Sequence, residues 1–188
     1  MNDLENWKDS PLWDDEESAG RYAHPLRVEP AFATSEGTRI ATDIPESGLY
    51  RHGSFVCAKS AQSHIGPFKH AMDFLIPDGT PVYAACGGTV VEVEQKSNQW
   101  GPTEKFRDML NYITILHDGG EYTQYCHLAQ WSCRDSGVLV GKLVSVGTKI
   151  GVVGKTGWTS HDHLHFIVFR LVTNESPFGH KSLKPRFI

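Results

Sequence analysis

Residues 161–171 read HDHLHFIVFRL, a histidine-rich start that runs directly into an apolar segment. Side chains at alternate positions of an extended strand point to the same face. His163 and His165 therefore share one face, and Leu164 and Phe166 share the other. Because one face can enter a hydrophobic core while the other presents imidazole nitrogens, this segment predicts a β-strand that is able to bind a metal ion.

Short runs of β-branched and aromatic residues recur from about Phe55 onward, separated by Gly, Pro, Asn or Asp. This rhythm predicts an all-β fold with antiparallel sheets, either a small β-sandwich or an open barrel, with little helix. Residues 103–110 are expected to form one short helical turn or a loop, capped by Thr103. The predicted strands are 71–75, 82–85, 89–94, 112–117, 122–127, 149–153, 163–171 and 186–188.

The composition of the 188 residues excludes several classes of protein. Hydrophobic residues make up 39% of the chain, charged residues 21%, and the net charge is -4 without any basic run, which argues against nucleic-acid binding. No segment approaches the roughly 18 apolar residues of a membrane span. The cysteines show no C-x-x-C spacing, so free buried thiols are expected at Cys57, Cys86, Cys126 and Cys133.

The N-terminal part of the chain differs from the rest in composition and in hydrophobic periodicity. Residues 1–50 are rich in Asp, Glu, Ser and Pro and have weak periodicity, which predicts an irregular extension wrapping a domain formed by residues 51–188. The first twenty residues have neither a positive n-region nor an apolar h-region, so no secretory signal is visible. On sequence alone the protein is expected in the cytoplasm.

A catalytic zinc site usually takes three protein ligands and keeps a fourth position open for water. Strand 163–171 can supply one ligand and a neighbouring base. Two other segments offer the remaining groups. Residues 63–74 read SHIGPFKHAMDF, and residues 125–128 read YCHL.

In chain order the motifs read H…DF…PxGTPVxAA…GxV, then NY, YxHL, GxVGxTG and HLHF. This order resembles the lysostaphin-type zinc endopeptidases, which cleave peptide cross-bridges in bacterial peptidoglycan. The resemblance covers residues 64–169. It implies the duplicated hybrid motif fold, a small antiparallel β domain with a groove, and one zinc ion per chain held by His, Asp and His in that order.

The same resemblance assigns roles to four residues by their motif positions. Asp73 corresponds to the aspartate ligand and His165 to the last histidine ligand. His163 resembles the general base, and His127 of the YxHL motif resembles the second catalytic histidine.

The first ligand departs from the commonest family pattern, H-x-x-x-D, because Lys69 occupies that position. His64 and His70 are the two candidates. Family members with a longer loop place the ligand in an upstream S-H segment, which His64 matches. Three residues apart on an extended segment, His70 and Asp73 tend to face opposite sides. His64 is therefore favoured over His70.

These motifs predict a zinc metalloendopeptidase that hydrolyses peptide bonds in peptidoglycan stem peptides or cross-bridges. Its expected partners are those peptides, without nucleic acid, a membrane span or a second subunit. Since no export signal is visible, it would act on the cell wall only after release or export by another route. One alternative is a non-catalytic module of the same fold that binds or activates other wall hydrolases. Another is a structural zinc protein with four closed ligands, including His163 or Cys126.

Several other residues are given weaker roles. The remaining histidines are expected to be ordinary surface or core residues: His24, His52, His117, His161 and His180. Four aromatic residues are candidates for lining the groove: Trp100, Tyr112, Trp131 and Trp158. The GKTG segment at 154–157 lacks the first glycine of a phosphate-binding loop, so it is expected to be a turn that positions the strand at 163–171.

Overall fold

Strands dominate the part of the chain that the computed structural model describes, residues 10–27, 44–172 and 179–188. Helical structure in these residues comprises the single turn α1 (Ser132–Asp135) and 3-10 turns at Glu46–Gly48, Gly66–Phe68 and Glu104–Met109. The all-β prediction is therefore confirmed. The strands are β1 (Leu49–His52), β2 (Phe55–Ala58), β3 (Met72–Leu75), β4 (Pro81–Tyr83), β5 (Gly88–Glu94), β6 (Trp100–Gly101), β7 (Tyr112–Leu116), β8 (Glu121–Cys126), β9 (Leu143–Val144), β10 (Lys149–Val152), β11 (Gly157–Trp158), β12 (His163–Leu171) and β13 (His180–Leu183).

One nine-stranded sheet organises the fold, in the order β1-β2-β3-β12-β8-β7-β5-β9, with β13 also paired to β12. All pairs in this sheet are antiparallel. The long strand β12 pairs with β8 along one edge, and with β3 and then β13 along the other. Two small sheets, antiparallel β4–β10 and parallel β6–β11, complete the described strands. Strand β12 is thus supported on both edges.

The alternation predicted for β12 is present in the structure. Leu164, Phe166 and Val168 are fully buried in the main hydrophobic core. His163 and His165 lie on the opposite face, near the carboxylate of Asp73. Burying each of the large apolar side chains contributes about 1.5–3 kcal/mol, so packing fixes which face the histidines occupy.

Two local predictions are wrong in detail. Residues 186–188 do not form a strand of the sheet, because Phe187 forms only an isolated bridge to Tyr22. The strand that pairs with the end of β12 is instead β13, His180–Leu183. Residues Glu104–Met109 form the predicted short helical turn as a 3-10 helix, but the expected cap is wrong, because Thr103 stands at the N-cap without a side-chain hydrogen bond.

Residues 10–27 are irregular but pack closely against the sheet. Tyr22 is buried in the main core, and its hydroxyl donates a hydrogen bond of 2.7 Å to the carboxylate of buried Glu121. The backbone N–H groups of Ala19 and Gly20 donate to the same carboxylate at 2.6 and 2.9 Å. These donors satisfy the buried charge, which ties the segment to the start of β8. Residues 1–9 and 28–43 of the predicted extension lie outside the described residues.

The four cysteines are free thiols, and Cys57, Cys126 and Cys133 are buried. Burial raises the pKa of Cys57 and of Cys133 to about 12. Thiols with such pKa values remain protonated at neutral pH and are therefore poor nucleophiles.

An aromatic cluster joins the N-terminal segment to β2. His24 stacks on Phe55 with 4.0 Å between ring centroids, and the backbone N–H of Leu26 donates to His24 Nδ1 at 3.2 Å. Burial, followed by the nearby charge of His52, lowers the pKa of His24 to about 4. The fold therefore accommodates His24 as a neutral side chain.

Protonation of His24 is expected to destabilise the protein. The pKa is about 4 in the folded state against 6.5 ordinarily, so between these pH values the unfolded chain binds more protons. The free energy of unfolding should fall as the pH drops from 6.5 to 4, by up to about 3 kcal/mol from this group. Urea titrations at pH 7 and pH 5 should show a drop smaller by about 2 kcal/mol for His24→Asn than for the parent. Equal drops would show that other groups control the acid response.

Candidate metal centre and active site

Three side chains converge on one point beside the central strands. The ligand atoms of His64, Asp73 and His165 all lie within 4.8 Å of one another. Asp73 Oδ1 is 2.8 Å from His165 Nδ1 and 3.2 Å from His64 Nε2. Ligands about 2.0–2.1 Å from a tetrahedral zinc ion are roughly 3.3 Å apart. The cluster thus has both the donor types and nearly the spacing that such a site requires.

The sheet positions two of these side chains rigidly. In the β3–β12 pair, Asp73 lies directly opposite His165. Directly opposed residues project from the same face of a sheet, so the carboxylate and the imidazole meet without any loop adjustment. His64 is not positioned by strand pairing, because it lies in the loop between β2 and β3.

The donor groups are suited to a cation. The His64 side chain is only 6% exposed, and its buried Nε2 atom lies 3.2 Å from Asp73 Oδ1 without the geometry of a hydrogen bond. Burial alone would raise the pKa of Asp73, but the nearby His163 and the hydrogen bond from His165 outweigh it and hold the pKa well below its usual range. A buried carboxylate and a buried imidazole nitrogen that makes no hydrogen bond both cost free energy unless something compensates them. A bound metal ion fits these residues.

Two further histidines flank the cluster and have defined tautomers. The rings of His127 and His163 are 4.4 Å apart between centroids. Nδ1 of His163 lies 2.9 Å from the carbonyl oxygen of His161, and Nδ1 of His127 lies 2.7 Å from that of Thr156. Since a carbonyl oxygen can only accept, both Nδ1 atoms carry the proton. In the neutral rings, each Nε2 atom therefore holds a free lone pair.

Both flanking histidines are neutral near pH 7. Burial lowers the pKa of His163, although the charge of Asp73 opposes part of this effect. Burial and then the neighbouring His163 lower the pKa of His127 well below its usual range. Nε2 of His163 lies 3.7 Å from Asp73 Oδ1, at the edge of the candidate metal cluster. The lone pair on His163 Nε2 therefore borders the candidate metal cluster.

The backbone of His127 is held in an uncommon conformation. Its φ is 62°, in the left-handed region that residues other than glycine rarely adopt. The Gly154 N–H donates to the His127 carbonyl at 2.8 Å, while the Thr156 carbonyl accepts from the ring. Asn111 donates through Nδ2 to the next carbonyl, that of Leu128, at 3.1 Å. Residues 154–156 form an irregular connection and not the predicted turn, and Gly154 and Thr156 hold the carbonyl and the ring of His127.

The structure separates the two candidates for the first ligand. His64 joins the cluster, whereas His70 Nε2 lies 3.0 Å from the carbonyl oxygen of Asp14 in the N-terminal segment. The imidazole of His161 is directed to Ser160, with 2.8 Å between Nδ1 and Oγ, and its carbonyl contacts His163.

Ser60 is a site residue that the sequence analysis missed. Its hydroxyl donates to Asp73 Oδ2, and its carbonyl accepts the backbone N–H of His64 at 2.8 Å. Its φ of 42° is also in the left-handed region. One residue thus contacts both the loop ligand and the strand ligand. A serine outside every recognised motif gives no sequence signal for this role.

Replacing Ser60 by alanine should weaken metal binding while leaving the fold in place. The variant keeps the carbonyl contact to His64 but loses the donor that orients the Asp73 carboxylate. Outer partners of metal ligands are typically worth about 10- to 100-fold in affinity. Competition with a chromogenic zinc chelator measures this loss. Ser63→Ala is the matched control, since its hydroxyl contacts only the Ser60 carbonyl at 3.2 Å; an equal loss in both variants would contradict the assignment.

The aromatic candidates occupy different places around the site. In the strand register, His165 is opposite Cys126, and Cys126 is opposite Tyr112, so Tyr112 lies on the face that carries the cluster. Trp100 and Trp158 lie on β6 and β11 and are 43% and 49% exposed. The fourth candidate, Trp131, instead packs under the guanidinium of Arg134, 4.9 Å from the ring centroid.

A β domain with a His, Asp, His cluster beside two neutral histidines has the site of a metal-dependent peptidase. Residues 67–178 match the model of peptidase family M23, and the chain belongs to that family. The resemblance inferred from the motifs is thus confirmed. The matched residues begin after His64, so the family match does not itself include the loop ligand.

Named peptidoglycan endopeptidases and lysostaphin are among the proteins that this chain is similar to. Peptidoglycan DD-endopeptidase ShyA of Vibrio cholerae is 35% identical over 94 residues, which are 50% of this chain and 18% of that protein. Lysostaphin of Staphylococcus staphylolyticus is 32% identical over 102 residues, 54% of this chain and 18% of that protein. The chain therefore spans less than a fifth of these relatives. The catalytic domain of lysostaphin from Staphylococcus simulans superposes with a TM-score of 0.44 and 31% identity, covering 60% of this chain and 74% of that domain.

Proposed function

We propose that this chain is a zinc metalloendopeptidase that hydrolyses peptide bonds in peptidoglycan stem peptides or cross-bridges. The observation that carries the proposal is the convergence of His64, Asp73 and His165 with His163 beside them. The names of the relatives, a peptidoglycan endopeptidase and lysostaphin, support the substrate class. A complete set of ligand and base candidates favours catalysis over a purely binding module.

Zinc held by these three side chains would lower the pKa of a bound water towards about 7 and polarise the scissile carbonyl. His163 then has the role of general base. Its Nδ1–H is committed to the His161 carbonyl, so Nε2 is the atom that takes the proton. The same contact with the His161 carbonyl fixes the plane of the His163 ring, and with it the direction of the Nε2 lone pair.

His127 is proposed to orient the attacking water. Because its Nδ1–H is donated to the Thr156 carbonyl, Nε2 of the neutral ring can accept a hydrogen bond but cannot donate one. This favours water orientation over donation to the developing oxyanion, the other role open to this histidine.

The cysteine-containing structural zinc site finds less support. Cys126 is the strand neighbour of His165, yet the group of metal-ligating side chains within the described residues contains no sulfur. Burial also raises the pKa of the Cys126 thiol, which disfavours the thiolate that a zinc ligand must supply.

Mass spectrometry of peptides released from defined cell walls tests the proposed function. Zinc-loaded protein should bind one metal ion per chain and generate new peptide termini, which identify the bond that is cut. The loops at 97–110 and 129–137 are the segments in which bond specificity would be sought. Protein that takes up no stoichiometric zinc, or that releases no peptide while loaded, would contradict the proposal.

The place of action follows from the proposed substrate. Peptidoglycan lies outside the cytoplasm, so we propose that the protein acts on the wall after release or export by a route that the sequence does not identify. Among the helices of the described residues, none is long and apolar enough to cross a membrane.

A further inference from the structure

The loop that carries His64 is longer than the common family spacing requires. Residues 65–72 separate His64 from Asp73, where the H-x-x-x-D pattern has three. A ligand on a longer loop loses more conformational entropy when it is ordered, and this cost weakens metal binding unless the loop is held in place beforehand. The structure should therefore contain contacts that hold the loop.

Such contacts come from the N-terminal segment, outside the residues that match the family. Lys69 Nζ lies 3.0 Å from the Trp13 carbonyl oxygen and 2.9 Å from Asp15 Oδ1. The next residue, His70, donates from Nε2 to the Asp14 carbonyl at 3.0 Å. The side chains of Lys69 and His70 thus contact residues 13–16, which we call the clasp.

The clasp is itself anchored to the central sheet. Lys181 on β13 is only 3% exposed, and its Nζ contacts Asp14 Oδ1 at 2.8 Å and Glu16 Oε2 at 2.7 Å. Arg170 on β12 pairs with the same Glu16 carboxylate through two N–H groups, each at 3.1 Å. Ion pairs that share partners in a network, here with buried Lys181 and a bidentate contact between Arg170 and Glu16, are worth more than isolated surface pairs. The clasp therefore connects the loop to the strand that carries His165.

We infer that the clasp positions His64 for metal binding, with Lys69 and His70 as positioning residues. Ser60 fixes one side of the loop, and the clasp fixes the other, so His64 is held between two anchored points. This inference rests on the proposed metal site and adds a role for a segment of the extension. It also explains why a histidine stands at position 70: it holds the loop and binds no metal.

Two substitutions in the loop test this role. His70→Leu removes the donor to the Asp14 carbonyl, and Lys69→Met removes both contacts of the ammonium group. Each should weaken zinc binding about 10-fold, the lower end of the range for residues that support ligands. Zinc affinity is measured by chelator competition. The Co²⁺-loaded proteins provide a second readout, because their visible absorption bands report the ligand geometry independently of hydrolysis.

The controls separate positioning from general stability. His70→Gln places an amide N–H near the former Nε2 and should restore affinity to within about 2-fold of the parent, since the hydrogen bond is kept. Tyr22→Phe removes the hydroxyl contact to Glu121 at the far end of the segment. It should lower the free energy of unfolding by about 1–3 kcal/mol without altering zinc affinity or the Co²⁺ spectrum.

Each outcome distinguishes the clasp from the proposed function. Unchanged zinc affinity in both His70→Leu and Lys69→Met would overturn the clasp while leaving the metal site intact. Loss of zinc in His70→Gln as complete as in His70→Leu would show that His70 is itself a ligand. A parent protein that binds no zinc would overturn the proposed function first. Because the Lys69 side chain is 39% exposed, Lys69→Met should fold even where His70→Leu does not.

Discussion

His64→Ala should lose stoichiometric zinc and, with it, nearly all hydrolysis of peptidoglycan peptides. The substitution removes one of the three proposed ligands, and it leaves the carboxylate of Asp73 buried with one partner fewer. The affinity loss should exceed the roughly 100-fold that outer partners cost. If zinc supplies several kcal/mol of transition-state stabilisation, activity at fixed zinc should fall by about 10³-fold or more.

The matched comparison for His64→Ala is His70→Gln, a change at the other sequence candidate. That variant should keep its zinc, because His70 lies against the Asp14 carbonyl and outside the cluster. Zinc content by elemental analysis and hydrolysis by chromatography of released peptides are measured on both proteins. A His64→Ala protein that retains one tightly bound zinc ion per chain would rule out this ligand.

His163→Ala should reduce kcat by about 10²- to 10⁴-fold, the usual contribution of a positioned general base, while the zinc content stays at one per chain. The reason is geometric: the lost Nε2 lone pair borders the cluster without belonging to it. KM should change little, since the substitution removes a group that acts in the transition state.

His52→Gln is a suitable control for His163→Ala, because His52 packs in the aromatic cluster with Phe187, with ring centroids 4.7 Å apart. Steady-state kinetics on a defined peptide and zinc analysis should give parental values for this control. Parental kcat in His163→Ala would remove the base from the proposed mechanism.

The features that could be predicted from sequence depend on local pattern. The strand predicted at 163–171 matches β12 at both ends, and burial of Leu164 and Phe166 decides the face that His163 and His165 occupy. The convergence of Asp73 with His165 was implied by the family motifs, and their opposed register explains it physically. The choice of His64 over His70 followed the same motifs, and the structure places His64 in the cluster.

The features that sequence did not reveal depend on partners far apart in the chain. Lys181 contacts Asp14 across 167 positions, and the backbone N–H of Ala19 meets Glu121 across 102. No periodicity in the sequence indicates such pairs. The acidic residues 13–16 therefore gave no sign that they contact the loop that carries His64. The role of Ser60 was not predicted for a related reason. It depends on a left-handed backbone conformation, which a serine in the sequence does not indicate.

The register between β3 and β12 also links metal binding to folding. Asp73 and His165 are 92 positions apart, so their donor atoms meet only when these two strands are paired. An unfolded chain therefore has no preformed site, so zinc bound at the proposed site would favour the native state. By mass action, free zinc at 100 times its dissociation constant would add about 2.7 kcal/mol to the free energy of unfolding. The supply of zinc would then determine how long the folded enzyme survives, as well as whether it is active.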